Sequence, residues 1–249
     1  MHINRVLTLL ETIAVSGRPL SAPEVQRATG LPRPTCYRLL QTLADHGLLD
    51  DPEHQLRYVI GERLIRIALL GRSDADLRQT VAPILKDAAI GLGEAVFLSR
   101  LRHYDVEIIH VETPTDPRRD YIHPGLGSRP MHACSCSKAI AAFADESFRE
   151  RILNGVLRPY TGQTKISQEV LRDELEEVRE RGYAECVEEI EVGVSSVAAP
   201  VLVGEDLATF SVGATGPIRR FTDVRRSNVG MKLKKLAVRV GTAITLSSS

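Results

Sequence analysis

Apolar positions recur at helical spacing from the start of the chain. Ile3, Val6, Leu7, Leu10 and Ile13 share one face and predict a first helix over residues 3–15, ended by Gly17-Arg18-Pro19. Ser21 to His46 then reads as two short helices and a tight turn. Ser21 is placed to cap the first of these, and Glu24, three residues on, completes a capping box. Val25 and Ala28 supply its inward face. Gly30 breaks that helix because it takes positive φ at low cost. Pro32 suits the first turn of the next helix, where a missing N–H matters little. Leu39, Leu40 and Leu43 form its apolar stripe, opposite Arg33, Thr35, Tyr37, Arg38 and Gln41. Leu48 to Asp50, a polar turn from Asp51 to His54, and Gln55 to Val59 follow as strand, turn and strand, where a wing would lie. Gly61 to Arg72 is helical again, with Leu64, Ile67, Ala68 and Leu70 apolar. That stripe either packs on its own chain or pairs with its copy in a dimer; pairing is favoured, since groove-reading proteins usually engage two half-sites.

From Asp74 the pattern changes. A helix is predicted over 75–91, with strand-like runs at Ala95–Leu101, Val106–Val111, Val194–Val203 and Leu207–Ala214. Helices at 134–144, 147–153 and 167–181 lie between them, and a long helix over 223–246 closes the chain. Strands and helices mix without a strict βαβ repeat, which predicts an α+β domain with a mainly antiparallel sheet. There is no internal repeat, and the only low-complexity stretch is the Ser tail at 247–249.

The 249 residues, 43% hydrophobic and 26% charged, suit one large or two ordinary domains. No apolar run approaches the ~20 residues of a membrane span. The first helix carries Glu11 and lacks the unbroken apolar core of a signal peptide. Four cysteines do not form a secreted disulfide framework, so a cytoplasmic protein is expected. Net charge is zero, but residues 1–49 hold five arginines against three acids, and Val25 to Ala44 holds three arginines and no acid. The expected partner is double-stranded DNA met by a local patch. A basic, hydrogen-bonding second helix is the element that enters a major groove. The candidate contacts are Arg33, Thr35, Tyr37, Arg38 and Gln41, with Arg57 and either His54 or Gln55 from the hairpin. Asp50, Asp51 and Glu53 would be repelled by phosphate, so the hairpin tip is a weak candidate.

A second site is predicted where the loop from Pro124 to His132 enters a helix beginning near Ala133. A helix N-terminus suits a carboxylate, and Arg129 adds a cation whose fork matches one. Cys134, Ser135, Cys136 and Ser137 are small enough for close approach. The same stretch also fits an ordinary capped helix whose Arg129 meets a surface acid. His132, Cys134 and Cys136 are three soft ligands, with Cys186 a candidate fourth. On a helix, however, positions 134 and 136 diverge by about 200°. That argues for small-residue packing and for no metal or other cofactor. A cysteine hydrolase would need a base and an orienting acid, and His132 alone is a candidate base, so no enzyme is expected. A redox-sensing regulator using Cys134 and Cys136 is the alternative. Ser195, Ser196, Ser211 and Thr215 can line a polar pocket at strand ends, though such hydroxyls are more often satisfied within the sheet.

Five blocks occur in order along the chain: GLPRPTCYRLLQTL, LRYVIG, RPMHACSCSKAIAAF, RGYAECVEEIEVGVSSVAAPV and SVGATGP. Through them the whole chain resembles the IclR family of bacterial transcription regulators. The resemblance implies a winged helix-turn-helix DNA-binding domain at 1–60 and a linker helix at 61–73 that helps dimerise. It implies a GAF-like α+β effector-binding and oligomerisation domain at 74–249. It further implies dimers or tetramers on operator DNA, repressing or activating catabolic genes in response to a small organic acid. The effector residues it implies are Arg129, Ser135, Cys136, Cys186, Ser196, Gly213 and Thr215. Two departures stand out: Arg129 where the family often has Leu before Pro-x-His, and Cys186-Val187 where it often has an acidic pair. The pocket thus loses a negative group and gains a positive one, which predicts an anionic, carboxylic effector.

Overall fold

The computed structural model describes residues 2–52, 55–116, 120–202 and 207–246. It divides into two units, Met1–Gly71 and Arg72–Ser249. The first unit begins with α1 (His2–Val15), whose inward seam is Leu9 and Ile13, with Val6 and Leu10 partly buried beside them. Ile3 and Leu7, expected on that seam, are 71% and 49% exposed. The helix is apolar on more than one side, and the core takes the side containing Leu9. β1 (Leu20–Ser21) leads into α2 (Ala22–Thr29), where Glu24 Oε2 accepts both the backbone N–H of Ser21 (2.8 Å) and its hydroxyl (2.7 Å). Gly30 follows at φ 65° and caps α2 through its N–H.

In α3 (Arg33–Asp45), Pro34 rather than Pro32 takes the first-turn position. Pro32 stands just outside, its carbonyl accepting the Cys36 N–H. Leu39, Leu40 and Leu43 are buried as expected, and Cys36 extends the stripe by one turn. β2 (Leu49–Asp50) and β3 (Arg57–Ile60) pair antiparallel, and β1 adds to the other side of β3. In α4 (Glu62–Leu70) the buried residue is Leu69, while Ile67 and Leu70 are 53% and 41% exposed.

The second unit is α+β. Its sheet contains β4 (Ala95–Arg102), β5 (Asp105–Glu112), β6 (Gly127–Arg129), β7 (Ala184–Val187), β8 (Val194–Leu202) and β9 (Ala208–Pro217). They lie in the order β6-β5-β4-β9-β8-β7, every pair antiparallel. β8 and β9 are buried almost throughout, so both faces of the sheet are covered. α6 (Ser135–Ala142), α7 (Glu146–Leu153) and α8 (Gln168–Arg181) gather with Phe97, Ile108 and Ala198 on one face. α5 (Asp74–Leu92) packs on β4 and β5, and α9 (Asp223–Leu246) packs on β8 and β9. Every residue of α6 is buried, which makes it the central helix of the unit. The helices and long strands match the hydrophobic pattern closely. β6 and β7 were not anticipated, and β9 runs on to Pro217. Glu53, His54, Val203 and the Ser tail lie outside the described residues.

Candidate effector cavity and nucleic-acid interface

The outward face of α3 carries Arg33, Tyr37, Arg38 and Gln41 in solvent, with Thr35 half-buried. The Arg33 guanidinium lies 5.3 Å from the Tyr37 ring centroid, which orders both side chains. Among the described residues neither Arg33 nor Arg38 meets a carboxylate within ion-pair distance. Gln41 donates to Asp45 at 2.8 Å. Arg57 stands on β3, its guanidinium 3.4 Å from the Pro19 carbonyl. Two of the wing acids hold the local backbone. Asp51 accepts the backbone N–H groups of Gln55, Leu56 and Arg57 and so ties the turn together. Asp50 accepts the N–H of Glu62 at the start of α4. Both acids are occupied with backbone donors.

In the second unit a cavity of about 130 Å³ opens beside the N-terminus of α6. Arg129, Cys186, Ser196 and Thr215, four of the residues expected there, line it. Ser135, Cys136 and Gly213 lie behind that lining. The Ser135 hydroxyl is 2.7 Å from that of Ser196, and Cys136 is fully buried. Gly213 faces the Phe97 ring across the β4–β9 pairing. Phe97, in turn, forms part of the wall. The sequence reading missed His123 and Glu191, which also line the cavity; the His123-Pro124-Gly125 turn directly ahead of Arg129 was the available signal. Ser195 and Ser211 are turned into the structure, on the carbonyls of Cys186 and Cys136.

Among the described residues Arg129 does not meet a surface acid. Its Nη2 donates to the carbonyls of Pro124 and Gly125, both at 2.6 Å. Cys134 and Cys136 do not diverge either. Cys134 precedes α6 with extended backbone (φ −80°, ψ 138°), so the helical rotation does not apply and the two Sγ atoms come to 3.3 Å. His132 points elsewhere, bonded to the Arg158 carbonyl at 3.0 Å and stacked on Tyr160. Among the described residues no group of three His, Cys, Asp or Glu could hold a metal. The hydrogen bond with Cys136 and burial push the Cys134 thiol well above its ordinary range. Burial and the neighbouring Cys134 push Cys186 up to about 12. Burial pushes the Cys136 thiol up as well, but hydrogen bonds with Cys134 and Ser137 and the charge of Arg129 outweigh it and hold that group below its ordinary range.

One wall of the cavity is fixed from below by buried charge. Lys138 on α6, fully enclosed, donates to Glu174 on α8 and to Glu189, each at 2.7 Å. Lys165 adds a contact to Glu174 at 2.9 Å. Burial pushes both carboxyls up; the lysines outweigh it at Glu174, and burial prevails at Glu189. Glu189 directly precedes Ile190 and Glu191, which line the cavity.

Apart from the stretch that holds Arg57 and Glu62, these features fall within two matches to known families. The family model described as "IclR helix-turn-helix domain" matches residues 3–52, and that described as "Bacterial transcriptional regulator IclR C-terminal" matches residues 72–242. The chain belongs to the IclR family. Members of the IclR family are transcriptional regulators, not enzymes. A glycerol operon regulatory protein of Streptomyces griseus is 30% identical over 221 residues, covering 88% of this chain and 85% of that one. The transcriptional repressor IclR of Escherichia coli is 28% identical, covering 96% and 88%. Among solved structures, Thermotoga maritima IclR aligns with a TM-score of 0.63 at 24% identity, covering 98% of each chain. An IclR homolog of Microbacterium hydrocarbonoxydans, complexed with 4-hydroxybenzoate, aligns with a TM-score of 0.61 at 24% identity over 99% and 100%. These likenesses carry the winged helix-turn-helix and the α+β effector-binding domain. Among the described residues no helix is long and apolar enough to cross a membrane.

Proposed function

We propose that this IclR-family regulator binds operator DNA as a dimer or a pair of dimers and is controlled by a small carboxylic acid held at Arg129. The observation that carries the acid is Arg129 itself: a guanidinium on the cavity wall, beside the N-terminus of α6, with no carboxylate partner among the described residues. The relative crystallised with 4-hydroxybenzoate supports an acid of this kind. Size narrows the class. An apolar cavity of roughly 150 Å³ holds one benzene ring, so about 130 Å³ admits a single ring or a short acyl chain. The recognition helices α3 of two protomers would occupy successive major grooves, with Arg33, Thr35, Tyr37, Arg38, Gln41 and Arg57 as the contacts. The exposed Ile67 and Leu70 of α4 supply apolar surface for pairing. Acid binding in the second unit then biases the DNA-binding state of the dimer.

A thermal-shift screen of aliphatic and aromatic carboxylates, run beside Arg129→Ala, tests the acid. A ligand that binds only the folded state raises the midpoint according to its concentration over its dissociation constant. The expected result is a set of acids that stabilise the parent and lose that effect in the variant. Stabilisation by neutral polyols alone, or acid stabilisation unchanged by Arg129→Ala, would refute it.

A further inference from the structure

The manner in which Arg129 is held has a mechanical consequence. Its Nη2 carries two hydrogens, and both are used, one on the Pro124 carbonyl and one on the Gly125 carbonyl. A guanidinium offers a carboxylate two forks, Nε with Nη2 or Nη1 with Nη2. Each includes Nη2. The Nε of Arg129 is buried without a hydrogen-bond partner, so one fork consists of a vacant donor beside a saturated one. Two-point capture of a carboxylate therefore requires one of those carbonyls to leave. We propose that Arg129 distinguishes acids from neutral ligands by exchanging a carbonyl of the segment 120–126 for the effector carboxylate, so that charge recognition and release of that segment are one event. This rests on the carboxylate reading above.

The segment is built for such an exchange. It crosses the cavity with Ile122, His123 and Pro124 in the lining. Among the described residues its backbone is held by side chains rather than by a ladder. The Gly125 N–H donates to His123 Nδ1, Arg129 takes the Pro124 and Gly125 carbonyls, and Arg220 takes the carbonyl of Asp120 at 3.0 Å. Regular pairing resumes only at Gly127, against β5. Gly125 and Gly127 sit at φ 76° and 97°, where glycine alone turns freely, so they can hinge the segment. An incoming carboxylate also meets the two carbonyl oxygens as like partial charges and drives them off. A neutral amide of the same shape makes weaker, uncharged hydrogen bonds and leaves both carbonyls in place.

Hydrogen exchange measured by mass spectrometry on the full-length protein tests this. The probes are acetate, pyruvate, benzoate and 4-hydroxybenzoate, each beside its carboxamide, with binding followed in parallel by thermal shift. Each acid that binds is expected to speed exchange of the Gly125 amide, which donates to His123 Nδ1, about tenfold, while bound carboxamides leave it unchanged. Arg129→Lys, whose ammonium has three separate donors and no shared fork, should retain weakened acid binding without that acceleration. Acid binding with unchanged exchange at Gly125, or the same acceleration from a carboxamide, would overturn this inference and leave the carboxylate reading standing. If none of the acids binds, both fall.

Discussion

Gly213 shows how much one residue can decide. A Cβ there would lie 2.2 Å from Phe97 Cζ and 2.8 Å from the Val197 carbonyl oxygen, which belongs to the β8 backbone and cannot yield. Gly213→Ala is expected to cost about 1–3 kcal/mol by overpacking, read as a lower urea midpoint. It should also weaken acid binding, because the displaced Phe97 ring moves within the cavity wall. An unchanged midpoint would show that the strands part easily. The pairing of Gly213 with Phe97 was not legible in the sequence, since they are 116 positions apart and meet only through strand register. Lys138 and Glu189 were missed for another reason: a charged residue is ordinarily read as solvent-facing, and only the fold reveals that each encloses the other's charge. Arg129 was legible because a cation beside a predicted helix N-terminus is a local pattern.

At the scale of elements, periodicity was the strongest guide. α3 and α5 to α9 follow the apolar spacing, while in α2 Val25 is buried with Ala22 and the expected Ala28 is exposed; the turn signals of Gly30 and the prolines fall where the chain bends. The capping box of α2 has a consequence for pH. Hydrogen bonds from the Ser21 hydroxyl and N–H, with Arg18 adding its charge, hold Glu24 at about 2 rather than 4.5. A carboxyl depressed in the folded state contributes stability above its unfolded pKa and loses it as pH falls through the folded one. The melting advantage of the parent over Glu24→Gln should therefore be full above pH 4.5 and vanish toward pH 2. Circular dichroism melts across that range would show it, and a constant difference would mean that the box is not formed in solution. β6 and β7, three and four residues long, carry too little alternation to be recognised alone. The expected divergence of Cys134 and Cys136 failed at an element boundary: the helix starts one residue after Cys134.

For the whole molecule, a net charge of zero means that attraction to DNA depends on a few side chains. Arg38→Ala in the full-length protein is expected to weaken binding to operator duplexes, enriched from a random pool, about tenfold or more. A flatter dependence of affinity on salt would assign Arg38 to a phosphate, and relaxed sequence preference at one position would assign it to a base. Equal binding by variant and parent would remove Arg38 from the interface. Within the second unit, parts differ in what can vary. The sheet centre, α6 and the Lys138 cluster are interlocked, so a change there disturbs several neighbours at once. The segment from Asp120 to Leu126 is contiguous, borders the cavity and, among the described residues, shares no ladder with the sheet. Ligand preference can therefore drift, or be re-engineered for a biosensor, by rewriting one short stretch of the gene while the inherited scaffold stays intact.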